Sequence, residues 1–189
     1  MVTECVFITT VIAVGIQRLL ELKLSKRNEA FILRAGGREH APGHFAIMRA
    51  LHILWLMSMV IEVLLLRRPF HLSLALSALP FFLLGQWLRH HAIKTLGSRW
   101  TVRIMTLPGE LPVHKGIYRY IRHPNYLGVI LEIFALPLLH SAYFTCIFFT
   151  VANGLLLIKR IREEEKGLEE DSEYSFVFRK RPRFLPRWL

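Results

Sequence analysis

Apolar residues in this chain gather into unbroken blocks, and most of the charge lies in the connections between them. A soluble domain spreads its apolar positions at helix or strand periods, so the blocks predict helices that cross a lipid bilayer. Five blocks qualify, over residues 2–20, 47–66, 72–88, 126–139 and 142–158. A straight span needs about 20 apolar residues and no fewer than about 17. The fourth block is short by that measure. Pro80 and Pro137 predict kinks, and only His140 and Ser141 separate the last two blocks, which predicts a tight helical hairpin. The pattern predicts an all-α polytopic membrane protein of about five transmembrane helices, a single domain over 1–189 with no internal repeat.

Lysine and arginine are unevenly shared among the connections, which sets an orientation. Segments 21–46 and 89–125 and the tail after Ile158 hold five, seven and nine of them; segment 67–71 holds two and the 140–141 turn none. Heavy and light connections alternate. The amino terminus is therefore expected outside, with both large loops and the carboxyl tail in the cytoplasm. The first block starts at Met1 with no basic leader and no small-residue cleavage site, and is expected to be a retained anchor.

Of the 189 residues 53% are apolar, and the net charge is +11. Such a charge suits nucleic acid, but here it borders apolar blocks, as beside an anionic membrane surface. The bilayer is the expected partner, and nucleic acid is excluded. Cys5 and Cys146 lie far apart inside apolar blocks without metal-ligand spacing, so both are expected to be buried, inert thiols. Nine histidines raise the alternative of a membrane di-iron oxygenase. His40 and His44 have ligand-like spacing, but His90-His91 lacks a partner three residues earlier, and no metal site is expected. His52, inside the second block, reads as a satisfied bundle histidine.

Candidate chemistry concentrates in two cytoplasmic segments. Gly116-Ile117-Tyr118-Arg119-Tyr120-Ile121-Arg122-His123-Pro124-Asn125-Tyr126-Leu127-Gly128 leads into the fourth block. Pro124 suits the first turn of a helix, which puts His123 at its start with Arg122 just outside. That arrangement fits a carboxylate ligand, or equally an anchor to lipid headgroups. After the fifth block, Asn153, Leu157, Arg160 and Glu164 fall on one face of a continuing helix. The segment from Arg162 to Lys166 reads either as a solvated run of i,i+4 pairs or as an inward-facing acidic cluster, since Glu163, Glu164 and Glu165 are repelled by anionic lipid. Glu132 and Asn153 are costly inside spans and face the bundle or a cavity. Glu132 lies four residues after Gly128, on the face the glycine leaves open. Glu62 reads as a snorkelling or paired residue near Arg67 and Arg68.

The Arg-His-Pro-Asn-Tyr-Leu-Gly stretch at 122–128, preceded by Gly-Ile-Tyr at 116–118, resembles the isoprenylcysteine carboxyl methyltransferase family. So do Arg-Ile-Arg-Glu-Glu-Glu-Lys-Gly-Leu at 160–168 and the tail Tyr174…Pro182-Arg183-Phe184-Leu185-Pro186. The match runs over about 85–189, the catalytic half. Gln17-Arg18-Leu19-Leu20-Glu21-Leu22, Ser25, Arg27-Asn28, Gly36-Gly37-Arg38-Glu39 and His44 resemble short bacterial members, some of them associated with type III polyketide synthases. Weaker forms of the motifs occur in phospholipid N-methyltransferases and in NADPH-dependent sterol or enone reductases, which remain alternatives.

The resemblance implies S-adenosyl-L-methionine in a pocket closed by the carboxyl segment. It implies O-methylation of an acidic group on a lipophilic or prenylated acceptor: a carboxylate, or the enol or phenol of an alkylpyrone or alkylresorcinol. His123 and Tyr126, with Tyr118 and Tyr174, are then cofactor contacts. Arg160 or Arg162 and Glu164 or Glu165 complete the site, with Glu132 and Asn153 beside the reacting groups. Val177 stands where many members carry a second aromatic hydroxyl. Methyl transfer to an ionised acid needs alignment more than a base, which fits the absence of a Ser-His-Asp arrangement. A phenol acceptor makes a base desirable, with His123 or Glu132 as candidates.

Overall fold

The computed structural model describes residues 1–185; Pro186, the last residue of the tail motif, lies outside the described residues. Helix α1 (Val2–Arg34) runs far past the predicted end at residue 20. Its polar second half stays helical through side-chain pairs one turn apart: Gln17 and Arg18 with Glu21, and Ser25 with Glu29. Then follow α2 (Gly43–Leu65), α3 (Leu72–Leu96), α4 (Pro124–Leu138), α5 (Tyr143–Asp171) and a short α6 (Tyr174–Phe178). Four helices, α1, α2, α3 and α5, are long and apolar enough to cross a membrane. The predicted fourth span is shorter: α4 has 15 residues, or about 22 Å at the usual rise per residue.

Large apolar side chains stay exposed along the outer faces of the long helices, among them Ile12, Leu54, Leu83, Ile147 and Leu155. That belt suits lipid, and every helix satisfies its own backbone there. The chain is an integral membrane protein. Cys5 belongs to the exposed surface, which corrects the expectation of burial, because α1 turns only a narrow stripe through Phe7, Val11 and Val14 inward; Cys146 is buried.

Helices α3 and α4 cross in close contact at Gly85 and Gly128. A Cβ on Gly128 would come within 2.6 Å of the Arg89 side chain and 2.8 Å of the Gly85 carbonyl. Small residues at a crossing let two backbones approach where no hydrophobic drive separates protein from lipid.

The connections sort to two ends. At one end, the α1 start, the α2–α3 turn and the α4–α5 turn meet around His140, which bonds Thr3 and packs against Phe7 and Phe70. Here Glu62 is paired, with Arg68 at 2.8 Å. It also accepts from the Phe144 and Thr145 amides and the Thr145 hydroxyl at 2.7–3.0 Å, so it caps α5 from a neighbouring helix. At the other end lie the α1–α2 loop, the α3–α4 loop and the tail. A pair of three-residue strands, β1 (Arg38–His40) and β2 (Ile104–Thr106), joins those two loops antiparallel. This pair was absent from the all-helical expectation, since three residues carry no readable alternation.

Candidate active site

Pro124 opens α4 and leaves His123 at its N-cap. The His123 ring stacks on Tyr126, centroids 5.4 Å apart, because residues three apart share a helix face. Its Nε2 lies 3.0 Å from Glu165 of α5. Tyr126 donates its hydroxyl to Glu164 and accepts from Arg160 Nε at 2.8 Å. Arg160 also donates to the Val102 carbonyl, fixing the α3–α4 loop against α5. The segment before α4 and the segment after the fifth apolar block therefore meet, at the end of the molecule that carries the large loops.

The tail closes over this meeting point. The amides of Arg122 and His123 donate to the carbonyls of Pro182 and Arg183, each at 3.0 Å. Arg183 forks onto Glu165 at 2.6 and 3.0 Å. Burial opposes ionisation of Glu165, but hydrogen bonds from His123 and Arg183 outweigh it and hold the carboxyl at about 2. A carboxylate depressed in the folded state stabilises above its ordinary range and loses that contribution as pH falls toward the folded value. The tail clasp is thus complete above about 4.5, the ordinary carboxyl value, and is expected to open as pH falls toward about 2. Glu165→Gln is expected to remove the clasp at neutral pH. Limited trypsin digestion should then cut after Lys180 or Arg183 faster than in wild type, and an unchanged rate would show that the pair does not hold the tail.

A cavity of about 490 Å³ runs through this end of the molecule. Its polar part is lined by Tyr118, His123, Tyr126, Arg160, Glu164 and Tyr174, the residues that the resemblance pointed to. Its apolar part is walled by α1 and α2, through Gly15, Leu19, Met48, Ile53 and Leu56. Of the alternatives left open in the sequence, Arg160 is buried and lines the cavity whereas Arg162 is exposed. Glu164 lines it; Glu165 stands behind His123 and serves the tail. Asn153 is buried in α5 but off the cavity wall. Glu132 is also off the wall, bonded to Arg18 and paired with Arg89 Nε at 3.4 Å.

That last contact belongs to a buried network the sequence did not disclose. Arg18 and Glu21 of α1, Arg89 of α3 and Glu132 of α4 alternate in sign, and the first three line the cavity. The signals were separate ones, Arg18 and Glu21 three residues apart at the end of an apolar block and Glu132 inside a span, with nothing to join them to Arg89. Three polar atoms on the cavity-lining residues Arg160 (Nη1), Asn125 (Oδ1) and Tyr174 (hydroxyl) are buried with no hydrogen-bond partner among the described residues. Each such group costs about 1–3 kcal/mol unless a ligand or water satisfies it. Cation, amide, hydroxyl and the Glu164 carboxylate together offer partners of both signs, as a small zwitterion requires. Among the described residues, no three metal-ligating side chains converge.

The model of the isoprenylcysteine carboxyl methyltransferase family matches residues 77–170, which include the α3–α4 crossing, Arg160 and Glu164. The Bacillus subtilis protein YpbQ is 38% identical over 158 residues, 83% of this chain and 93% of YpbQ. The chain belongs to the isoprenylcysteine carboxyl methyltransferase family. A Haemophilus influenzae protein is 26% identical over 152 residues, 80% of this chain and 88% of its own. The Schizosaccharomyces pombe protein-S-isoprenylcysteine O-methyltransferase is 31% identical over 94 residues, 49% of this chain and 40% of that enzyme. In this family member the clasping tail, with Tyr174 and Arg183, lies beyond the matched segment.

Proposed function

We propose that the chain is an S-adenosylmethionine-dependent O-methyltransferase that modifies an acidic group on a lipid-tailed acceptor. The observation that carries this reading is one continuous cavity with a charged part at the loop end and an apolar part walled by α1 and α2. His123, Tyr126, Arg160 and Glu164 would hold the cofactor, with Tyr118 and Tyr174 beside them. Bound there, S-adenosylmethionine supplies an electrophilic methyl group. Glu164 faces positive charge, Arg160 orients carboxylate or acceptor, and the tail clasp excludes water. The fission yeast relative acts, by its name, on an isoprenylcysteine. In this chain the acceptor is a carboxylate of that kind, or the enol or phenol of an alkylpyrone or alkylresorcinol, with a polyketide synthase as functional partner in the latter case. The amino terminus is outside and the site cytoplasmic. Support for that orientation is the sharing of one end by the three segments richest in lysine and arginine.

Membranes carrying the chain, incubated with methyl-labelled S-adenosylmethionine, are expected to pass label to an organic extract. Label released by mild alkali marks a methyl ester, and label that resists it marks an enol or aryl ether. Label on an amine headgroup, or no label above membranes carrying Glu164→Gln, would refute the reading.

A further inference from the structure

His52 lines the cavity and has no task in the reading above. Helix α2 sets it one turn after Met48 and beside Trp55, whose ring meets it edge-on with centroids 6.2 Å apart. Its Nδ1 lies 2.9 Å from the Met48 carbonyl. A carbonyl can only accept, so Nδ1 carries the proton and Nε2 keeps its lone pair. The same stretch of wall holds Ile53, Leu56 and Leu19, the apolar part suited to a hydrocarbon tail. Arg18 of α1 and Arg160 of α5 line the same cavity, and their positive charge favours an acceptor oxygen that has given up its proton. Glu132 is engaged with Arg18 and Arg89, and His123 is held in the polar part of the cavity by Glu165, whereas His52 lies on the apolar wall.

We propose that His52 Nε2 accepts the proton from the hydroxyl of a phenol-type acceptor whose tail lies along the α1–α2 wall. The inference rests on the methyltransferase reading and narrows it to an acceptor that arrives protonated. The O–H bond breaks, an N–H bond forms at Nε2, and the pair left on oxygen is the nucleophile. The proton stays on Nε2 through methyl transfer and leaves to water when the tail clasp opens. A carboxylate acceptor is already ionised near neutral pH and gives His52 no proton to take. A positioned base contributes roughly 100-fold or more where the proton must leave.

The test uses the full chain in detergent and two variants, His52→Asn, whose amide can keep a bond to Met48, and His52→Gln. The first readout needs no cofactor. A long-chain alkyl nitrophenol is bound at a pH where the free probe is mostly protonated, and its absorbance reports the ionised fraction. Wild type is expected to bind a larger share of it as phenolate than either variant does. The second readout is methylation of a plain long-chain alkylphenol, expected to fall roughly 100-fold in both variants. A ring-fluorinated alkylphenol, ionised without help, should be methylated almost as well as by wild type. Equal losses on both phenols, a phenolate share in the variants equal to that of wild type, or loss of S-adenosylmethionine affinity in both variants would each overturn the role of His52. A wild-type chain that methylates a long-chain fatty acid but neither phenol overturns this inference and leaves the proposed function standing. A wild-type chain that does not bind S-adenosylmethionine overturns both.

Discussion

Glu164→Gln is expected to weaken S-adenosylmethionine binding by roughly 100-fold while the protein stays folded. The carboxylate lines the cavity, takes the Tyr126 hydroxyl as a donor and sits in the same hydrogen-bonded chain as Arg160. Gln keeps the shape and loses the charge. Bonds to a charged group are worth about 1.5–3 kcal/mol, and removal of the anion also loosens Tyr126 and Arg160. Calorimetry in detergent measures the effect directly. Glu165→Gln is the comparison, expected to lose less affinity because its carboxylate holds the tail through Arg183. Wild-type affinity in Glu164→Gln would remove that residue from the site.

The second large effect concerns stability. Glu132→Ala leaves the buried Arg89 and the half-buried Arg18 with Glu21 as their one remaining anion in the network. Breaking one member of a buried pair costs up to about 3–5 kcal/mol, because the partner charge is left uncompensated. The variant is expected to melt well below wild type in detergent. Arg18→Met with Glu132→Leu removes opposite charges together and should recover much of the loss, since an apolar replacement of a whole buried pair is often neutral. An unchanged melting temperature in Glu132→Ala would show that the network carries little stability.

The helices were legible because lipid demands long apolar runs, and α1, α2, α3 and α5 all contain one. Their ends were less legible. Past residue 20, α1 continues on i,i+3 and i,i+4 polar pairs that a hydropathy pattern does not see. The polar part of the cavity was readable through local motifs, since His123 and Tyr126 are three apart and Arg160 and Glu164 four apart on single helices. Contacts between distant segments were not. Asp171 takes Arg38, Thr106 and His40 as partners from two different loops, and nothing near Asp171 in sequence announces them. Gly167 packs against the His40 ring for the same reason, where a Cβ would come within 2.8 Å. The acidic run offered three glutamates, and only the rotation of α5 against α4 tells which of them meets the cavity and which meets the tail.

The capping of α5 by Glu62 gives the long helix a fixed foot. Its far end is tethered to the loops and the tail chiefly by polar links, Asp171 to the loops and Glu165 to the tail. Water can replace such links, whereas it cannot replace packing inside lipid. Entry and exit of the proposed cofactor would therefore need only the wetted tip of the bundle to unfasten, while the lipid-facing half of the molecule keeps its shape.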